Sequence, residues 1–497
     1  MPWPSALLVL AIAIAITVWQ ALWCHPRSVF DEASPSPRFR RRPWTGAASL
    51  ATGHAFFPTI FSTGSNSAIA SLPCLRKWNA DALRRSHDDI ELVAWTQPSR
   101  EFVLARGREA DYNLSHSIGT KALSLSAFWR EASNRSLLHY HSGPLADWGP
   151  VLAADAAGLL DALSIVDAPS DMPRRSWPLP SGPLVWMGAE GVVATPHYDT
   201  SLNVVLQVFG VKRWMLWPPD DLIGHLPMHP STHPSRRQAR VRLTDNAAGD
   251  GYAQAASRRA MRVDVHPGEA LFVPPYWTHA VESHTPALSL SVLSPSWTEA
   301  VGARIAWHKG GGSRAATAAA ATWLDRLPPD NAARRVLALR LYLRALIPRV
   351  FGAGETAPHF VRALYQLRHD PGVGGGARGE GAHGGGAADG EGASGAGGAP
   401  WSSALGDACC DDAGGTRDCG DVGGGSGDGH GDLPSAAEVH DAVERVRGVL
   451  EWDDDGKRLS TAVAIELVRG HVEELAVWAV GDEAHAALLS ALGGTTC

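Results

Sequence analysis

The central third of the chain carries short apolar runs that end at Gly or Pro. Residues 202–209 are apolar and β-branched and stop at Gly210, and residues 211–217 follow and stop at a Pro-Pro pair. Runs of this length and composition predict β-strands. The single residue between the two runs predicts that they form a tight hairpin.

Two later runs extend the same pattern. Residues 270–273 lie between a Pro-Gly and a Pro-Pro pair, and residues 288–292 alternate strictly between Leu or Val and Ser. Strict alternation is typical of a half-buried strand. Several short strands separated by turn signals predict a mainly β fold with a jelly-roll core over residues 111–300.

Helical patterns flank a stretch of low complexity after this core. Residues 301–370 show apolar positions three and four apart, which predicts a helical extension that packs on the β core or on a second subunit. A homodimer through residues 315–368 is therefore one expectation. Residues 371–433 are rich in Gly, Ala, Asp and Ser and predict a disordered linker. Residues 434–497 return to a helical pattern and predict a small helical C-terminal region.

The N-terminal 28 residues have a different character. Residues 6–23 are apolar-dominated and uncharged, at the lower limit of length for crossing a bilayer. We expect either a membrane anchor or a segment that targets the chain to the secretory pathway or an organelle. The arginines that follow favour a cytosolic downstream side, whereas sequons at Asn113 and Asn134 suit a lumenal one. Residues 29–110 form a mixed region without a motif.

Net charge and cysteine spacing argue against two classes of function. The formal net charge of -7 argues against a general nucleic-acid binder. The six cysteines include no C-x-x-C pair, which excludes the usual zinc spacing. Cys409, Cys410 and Cys419 could form a disulfide in an oxidising compartment, and scattered free thiols are the alternative.

Three residues predict a metal site. His197 and Asp199 stand two apart, so on a strand their side chains point to the same face. His279 follows an apolar strand and a Pro-Pro turn. Two His and one carboxylate form the facial triad of non-haem iron(II) oxygenases, which leaves positions open on the metal.

The chain has 21 His, so a His-x-Asp spacing alone is a weak signal. His139 and His141 form another close pair, which we interpret as structural or as lining a co-substrate site. Lys212 strengthens the metal hypothesis, because a buried Lys could bind the distal carboxylate of 2-oxoglutarate. Arg213 should point to the opposite face, and a solvated charge at a strand end is the alternative for Lys212.

Residues 190–219 and 267–279 together resemble JmjC-domain oxygenases, and among them the cupin-like protein hydroxylases that include the asparaginyl hydroxylase of hypoxia-inducible factor. The clear resemblance covers about residues 184–297. It implies a double-stranded β-helix with Fe(II) held by His197, Asp199 and His279. It also implies 2-oxoglutarate held by four residues, which are Lys212, Thr195, Asn203 and Tyr140.

The resemblance implies hydroxylation of a protein or peptide side chain with release of succinate and CO2. One departure concerns a pocket Asn, which appears here as Leu293, with Ser291 or Ser294 as nearby substitutes. Three alternatives stay open: a JmjC demethylase, a cupin-fold binding module without turnover, and a metal cupin of another chemistry.

Overall fold

The structure is a computed structural model, and it describes residues 39, 41–43, 57–62, 69–103, 118–132, 136–165, 182–243, 251–305, 323–328, 330–370, 433–451 and 459–494. The predicted N-terminal segment at residues 6–23, both sequons, the glycine-rich linker and the Cys409, Cys410 and Cys419 group lie outside these residues.

Strands dominate the first three hundred residues, as the apolar runs predict. In chain order they are β1 (Arg41–Pro43), β2 (Thr59–Ser62), β3 (Glu91–Gln97), β4 (Glu101–Phe102), β5 (Gly119–Ser124), β6 (Leu138–Pro144), β7 (Leu184–Gly188), β8 (Val193–His197), β9 (Leu202–Phe209), β10 (Lys212–Trp217), β11 (Met261–Val265), β12 (Glu269–Val273), β13 (Thr278–Ser283) and β14 (Ala287–Ser294).

Helices cover the outside of the strands and make up the later part of the chain. They are α1 (Pro73–Lys77), α2 (Ala80–Ser86), α3 (Leu125–Glu131), α4 (Gly149–Asp155), α5 (Leu159–Leu163), α6 (Gly251–Arg259), α7 (Trp297–Ile305), α8 (Ala332–Phe351), α9 (Ala357–Arg368), α10 (Ala436–Leu450), α11 (Thr461–Val480) and α12 (His485–Gly494). Short 3-10 turns occupy Leu145–Trp148, Pro219–Leu222 and Leu324–Arg326.

The described strands form two sheets that face each other. The larger has nine strands in the order β1-β2-β12-β9-β14-β7-β6-β3-β5, and the smaller has five in the order β11-β10-β13-β8-β4. Between them lie apolar side chains from both, including Val205 and Leu271 from the larger sheet and Trp214 and Leu216 from the smaller. The predicted jelly-roll core with flanking helices is confirmed.

The predicted hairpin between residues 202–209 and 211–217 is wrong. Both runs are strands, but β9 pairs with β12 and β14, whereas β10 pairs with β11 and β13 in the other sheet. The chain crosses between the sheets at Gly210, whose φ is 70°. A Cβ there would lie 2.2 Å from the Pro286 carbonyl oxygen, so only glycine fits this corner.

Strand β14 is more deeply buried than its alternating sequence predicts. One face contacts the interior between the sheets, and Ser289 and Ser291 point there. The other face carries Leu288, Leu290 and Val292, which pack in a second core together with residues of α1 to α5. Because helices cover the outer face of the larger sheet, both faces of this strand are buried.

The helices on the two sides of the glycine-rich segment share one core. Tyr342, Leu343 and Leu346 of α8 pack with Val443 of α10 and Val472 of α11. The apolar stripe expected to contact the β core or a second subunit is therefore covered largely by later helices of the same chain. The homodimer through residues 315–368 stays a prediction.

Membrane association gains no support from the described helices. Taken singly, none of them has both the length and the apolar character to cross a membrane. Helices α11 and α12 satisfy that test only as a pair bent by 112°. Several of their apolar side chains, among them Val468, Val472 and Leu488, are buried in the helical core.

Candidate metal and co-substrate site

A β-bulge brings the first predicted ligand to the interior. His279 of β13 lies opposite His197 of β8, while Val281 lies opposite Ala194. Two residue steps on β13 thus match three on β8, so one extra residue interrupts the alternation of β8. Such bulges re-aim side chains. His197 consequently points inward towards His279, and their ring centroids are 4.3 Å apart.

Both imidazoles are held by the same kind of hydrogen bond. The Nδ1 of His197 lies 2.7 Å from the Thr195 carbonyl oxygen, and the Nδ1 of His279 lies 3.0 Å from that of Trp277. A carbonyl can only accept, so each Nδ1 carries the proton. Each Nε2 then keeps its lone pair, which is the arrangement that a metal-binding histidine requires.

Asp199 completes the predicted group just beyond the end of β8. Its Oδ2 lies 3.9 Å from the Nε2 of His279 and accepts a 3.1 Å hydrogen bond from the Asn203 amide. Across the described ranges, no three His, Cys, Asp or Glu side chains are gathered in a finished metal-binding arrangement. The donor set of two imidazoles and one carboxylate nevertheless fits Fe(II), with Asn203 orienting the carboxylate.

The local charges favour the ionisation state that a metal site of this kind requires. Burial raises the pKa of Asp199, but the two histidines, Arg237 and the Asn203 amide outweigh it and lower the pKa below its usual value. Burial and the neighbouring His197 lower the pKa of His279 to about 4. At neutral pH the site therefore offers an ionised carboxylate and a neutral His279 imidazole.

Lys212 lies in the same interior, with 3% of its surface exposed. Its ammonium donates to the Trp186 carbonyl oxygen at 3.0 Å and to the Ser289 hydroxyl at 2.8 Å. No carboxylate among the described residues is paired with it, and burial lowers its pKa to about 7. Arg213 points outward, as predicted, and pairs with Asp264 at 2.8 Å.

The two ends of the site face one another along the same strands. Leu216 is opposite His279, and Lys212 precedes Leu216 by four residues on β10, which corresponds to about 13 Å between Cα atoms. Two inward-facing polar atoms near this stretch, Asn203 Oδ1 and Trp214 Nε1, have no hydrogen-bond partner in the described part. A small anion held at both ends would lie here.

The other predicted co-substrate residues do not all lie in the β interior. Tyr140 points inward, and its ring stacks on that of Trp186 at 6.4 Å, on the strand whose carbonyl binds Lys212. Thr195 lies on the outer side of the bulge, where its hydroxyl is 3.4 Å from the Glu101 carboxylate. The structure thus places Tyr140 and Asn203 in the interior and Thr195 outside it.

The secondary candidates are also resolved by strand alternation. His139 and His141 point away from the interior, where they contact Glu131 at 3.2 Å and the Val93 carbonyl oxygen at 2.8 Å. Ser294 is bonded to the Ile165 amide at 2.9 Å. Ser291 lies on the same strand face as Leu293, and its hydroxyl accepts a 2.9 Å hydrogen bond from Trp186 Nε1.

Sequence reasoning missed Arg237 and the role of the insertion that carries it. The insertion runs beside the ligand segment, since the Tyr198 amide donates to the Arg237 carbonyl oxygen at 3.1 Å and the Ala239 amide to that of Pro196 at 2.7 Å. Arg237 has a φ of 67°, which is unusual for a residue with a side chain. No local sequence signal marks this position.

Comparison with known proteins agrees with this geometry. The Cupin-like domain family matches residues 65–299. The chain carries a cupin-like JmjC domain. JmjC proteins are generally iron- and 2-oxoglutarate-dependent oxygenases. The match begins before residue 111, and β3 is indeed hydrogen-bonded into the larger sheet.

Individual relatives share the domain but differ in their names. The chain is 35% identical to Jumonji C domain-containing protein 5 of Drosophila melanogaster over 108 residues, or 21% of this chain and 26% of that protein. It is 34% identical to HSPB1-associated protein 1 of Bos taurus over 116 residues, or 23% of each. It is 28% identical to tRNA wybutosine-synthesizing protein 4 of Gibberella zeae over 224 residues, or 44% of this chain and 20% of that protein.

The chain thus spans about a quarter or less of the length of these relatives. The relatives share the JmjC domain with this chain, whereas their names indicate different substrates or partners. Particular kinship with the asparaginyl hydroxylase of hypoxia-inducible factor stays a prediction.

Proposed function

We propose that the JmjC domain is an Fe(II)- and 2-oxoglutarate-dependent oxygenase that hydroxylates a protein side chain and releases succinate and CO2. His197, Asp199 and His279 hold the iron. Lys212 binds the distal carboxylate of 2-oxoglutarate. The observation that carries the proposal is a buried ammonium without a described carboxylate partner, facing a His-Asp-His group across one interior.

Bound iron would supply the redox chemistry that couples decarboxylation of 2-oxoglutarate to hydroxylation of a C–H bond. The residues of the chain prepare for it. The carbonyl bonds to His197 and His279 fix both tautomers, and Asn203 orients the Asp199 carboxylate. The apolar walls between the sheets exclude water and strengthen the Lys212 interaction with an anion.

Of the remaining co-substrate residues, we propose that Tyr140 and Asn203 line the 2-oxoglutarate site. Thr195 contributes through its backbone, because its carbonyl oxygen holds His197 while its hydroxyl faces Glu101. A protein or peptide substrate is supported by the insertion beside the metal ligands and by the name of one relative, which describes association with another protein.

One observation favours a second candidate, a cupin-fold module that binds without turnover. Leu293 is paired with Asn203 at the metal end, where an apolar side chain removes one polar contact from the pocket. The two candidates separate once a substrate is assayed, because a binding module would bind iron and 2-oxoglutarate yet never form succinate.

The first test is anaerobic loading of the purified protein with Fe(II) and 2-oxoglutarate, followed by visible spectroscopy. A weak charge-transfer band should appear when 2-oxoglutarate chelates the iron. His279→Ala should abolish the band, and Lys212→Met should require far more 2-oxoglutarate to produce it. A folded protein that binds iron but never shows the band would contradict the proposed co-substrate.

A further inference from the structure

A cluster of buried charges joins the later helices. Arg368, at the end of α9, pairs with Glu466 and Glu473 of α11, the second at 2.5 Å. His369 also contacts Glu473, at 2.9 Å. Burial alone would raise the pKa of Glu473, but the charge of Arg368 and the His369 hydrogen bond lower it to about 2. Glu473 is therefore ionised inside the protein.

One member of this cluster reaches the metal ligands. The Tyr198 hydroxyl donates a 2.8 Å hydrogen bond to the Glu466 carboxylate, across 268 positions of sequence. Tyr198 is the residue between His197 and Asp199. Its ring stacks on that of Tyr276 at 5.2 Å, and the Tyr276 amide donates to the Asp199 carbonyl oxygen at 2.8 Å. The residue between the two ligands is thus held from outside the β core.

Two further bonds tie the same helix to the insertion. The Ser231 amide donates to Glu473 at 3.0 Å. Arg469 donates to the carbonyl oxygens of Leu222 and Ile223, both at 3.0 Å. The insertion in turn pairs with the ligand segment through Ala239. Helix α11 therefore supports the metal end of the site along two independent routes.

The geometry of the ligand segment explains why such support matters. His197 and Asp199 face the interior, while the side chain of Tyr198 points the other way. Rotation of Tyr198 would swing both neighbours out of position, because successive side chains share one rigid backbone. Packing of an aromatic ring alone would be satisfied by Phe. The hydroxyl and its buried acceptor add a fixed direction, which metal sites gain from their supporting hydrogen bonds.

We propose that Glu466 is a positioning residue for the metal site, acting through Tyr198, so that the helical region after the glycine-rich segment is part of that site. This inference rests on the proposed metal ligands. It assigns the C-terminal helices a task beyond covering α8. Loss of the hydrogen bond should weaken metal binding without removing a ligand.

The experiment measures Co(II) affinity by anaerobic titration of the full chain, with the visible Co(II) spectrum as a second readout. Tyr198→Phe should weaken Co(II) binding roughly tenfold, the low end for supporting contacts, and should change the spectrum. Glu466→Leu combined with Tyr198→Phe should bind Co(II) no more weakly than the weaker single variant, because Glu466 acts on the ligands through Tyr198.

The matched control is Tyr342→Phe. It removes another buried hydroxyl, which bonds to His471 of α11 at 3.1 Å but has no described contact with the ligand segment. It should lower the melting temperature about as much as Tyr198→Phe while leaving Co(II) affinity and spectrum unchanged.

The outcomes separate the two claims. Wild-type Co(II) binding that is lost in His197→Ala supports the metal site itself. If Tyr198→Phe then binds Co(II) like the wild type, or if Tyr342→Phe weakens binding equally, the positioning role is wrong while the metal site stands. If the wild type does not bind Co(II), both proposals fail.

Discussion

The interior between the two sheets and the interface among the later helices both bury charged side chains, but they satisfy them differently. In the helical region Arg368 forms ion pairs with two carboxylates. His369 contacts one of them, that of Glu473. In the β interior the Lys212 ammonium meets a carbonyl and a hydroxyl, without a described carboxylate.

Burial of an ion is costly unless another charge compensates for it. The helical cluster is compensated within the chain, so its role is to hold elements together. The β interior is not, so it is suited to a molecule that arrives with its own negative charge. The contrast between paired and unpaired buried charge distinguishes structural support from a binding site here.

The largest expected effect comes from breaking the compensated cluster. Arg368→Met leaves Glu466 and Glu473 buried without their cation and should lower the free energy of unfolding by about 3–5 kcal/mol. Denaturant unfolding followed by circular dichroism measures the change. A loss below about 1 kcal/mol would show that water or rearrangement replaces the arginine, and the contrast with the β interior would disappear.

Replacement of the buried cation in the β interior should weaken ligand binding and should not lower stability. Lys212→Met removes an uncompensated cation, so the ligand-free protein should be no less stable. Affinity for 2-oxoglutarate should fall by about 2–3 kcal/mol, or roughly 30- to 150-fold, because a charged hydrogen bond is lost. Calorimetric titration in the presence of Mn(II) measures it. Unchanged affinity would remove Lys212 from the co-substrate site.

Stability measurements across a pH series test whether Lys212 is an uncompensated cation in the ligand-free protein. Burial lowers the pKa of Lys212 to about 7 from its ordinary 10.5, so between these values the unfolded chain carries a proton that the folded chain does not. This group therefore makes the ligand-free protein more stable as pH rises through that window, by up to about 1.4 kcal/mol per pH unit.

Affinity for 2-oxoglutarate should move the other way over the same window, because its carboxylate needs the protonated ammonium. We expect a fall of up to about tenfold per pH unit above about pH 7. Titrations at two or three pH values, with Lys212→Met as the reference, isolate the contribution. Parallel curves for the two proteins would show that Lys212 keeps its proton throughout.

The smallest effect is expected for Arg213, the residue after Lys212. Arg213 forms a partly exposed pair with Asp264 on the outer face of β10. Arg213→Gln should change stability by less than about 1 kcal/mol and should leave 2-oxoglutarate affinity unchanged. Since the two cations are neighbours in sequence, a large effect of Arg213→Gln on affinity would show that strand alternation does not separate their roles.

The local patterns were sufficient to predict four of the described strands and several of the residues that lie in the β interior. The apolar runs predicted β9, β10, β12 and β14, and the His-x-Asp spacing singled out residues that do lie together. The partner of β10 was not predictable, because apolar runs do not show which sheet they join. The bulge in β8 was also hidden, since it depends on the pairing with β13.

Long-range contacts account for the rest of what sequence reasoning missed. The helical patterns after residue 300 predicted helices but not their shared core. Arg368, Glu466 and Glu473 look like ordinary surface charges in a helical pattern, and only the packing of α9 on α11 buries them. Tyr198 was visible between two predicted ligands, but its partner lies 268 residues away.

The 268 positions between Tyr198 and Glu466 have a consequence during protein synthesis. At a typical rate of about 5–20 residues per second, the ribosome makes Glu466 about 13–54 s after Tyr198. Once His279 has also been made, the nascent chain carries the proposed metal ligands but lacks the helix that steadies them. We therefore expect metal to be retained firmly only after α11 has been made and has docked.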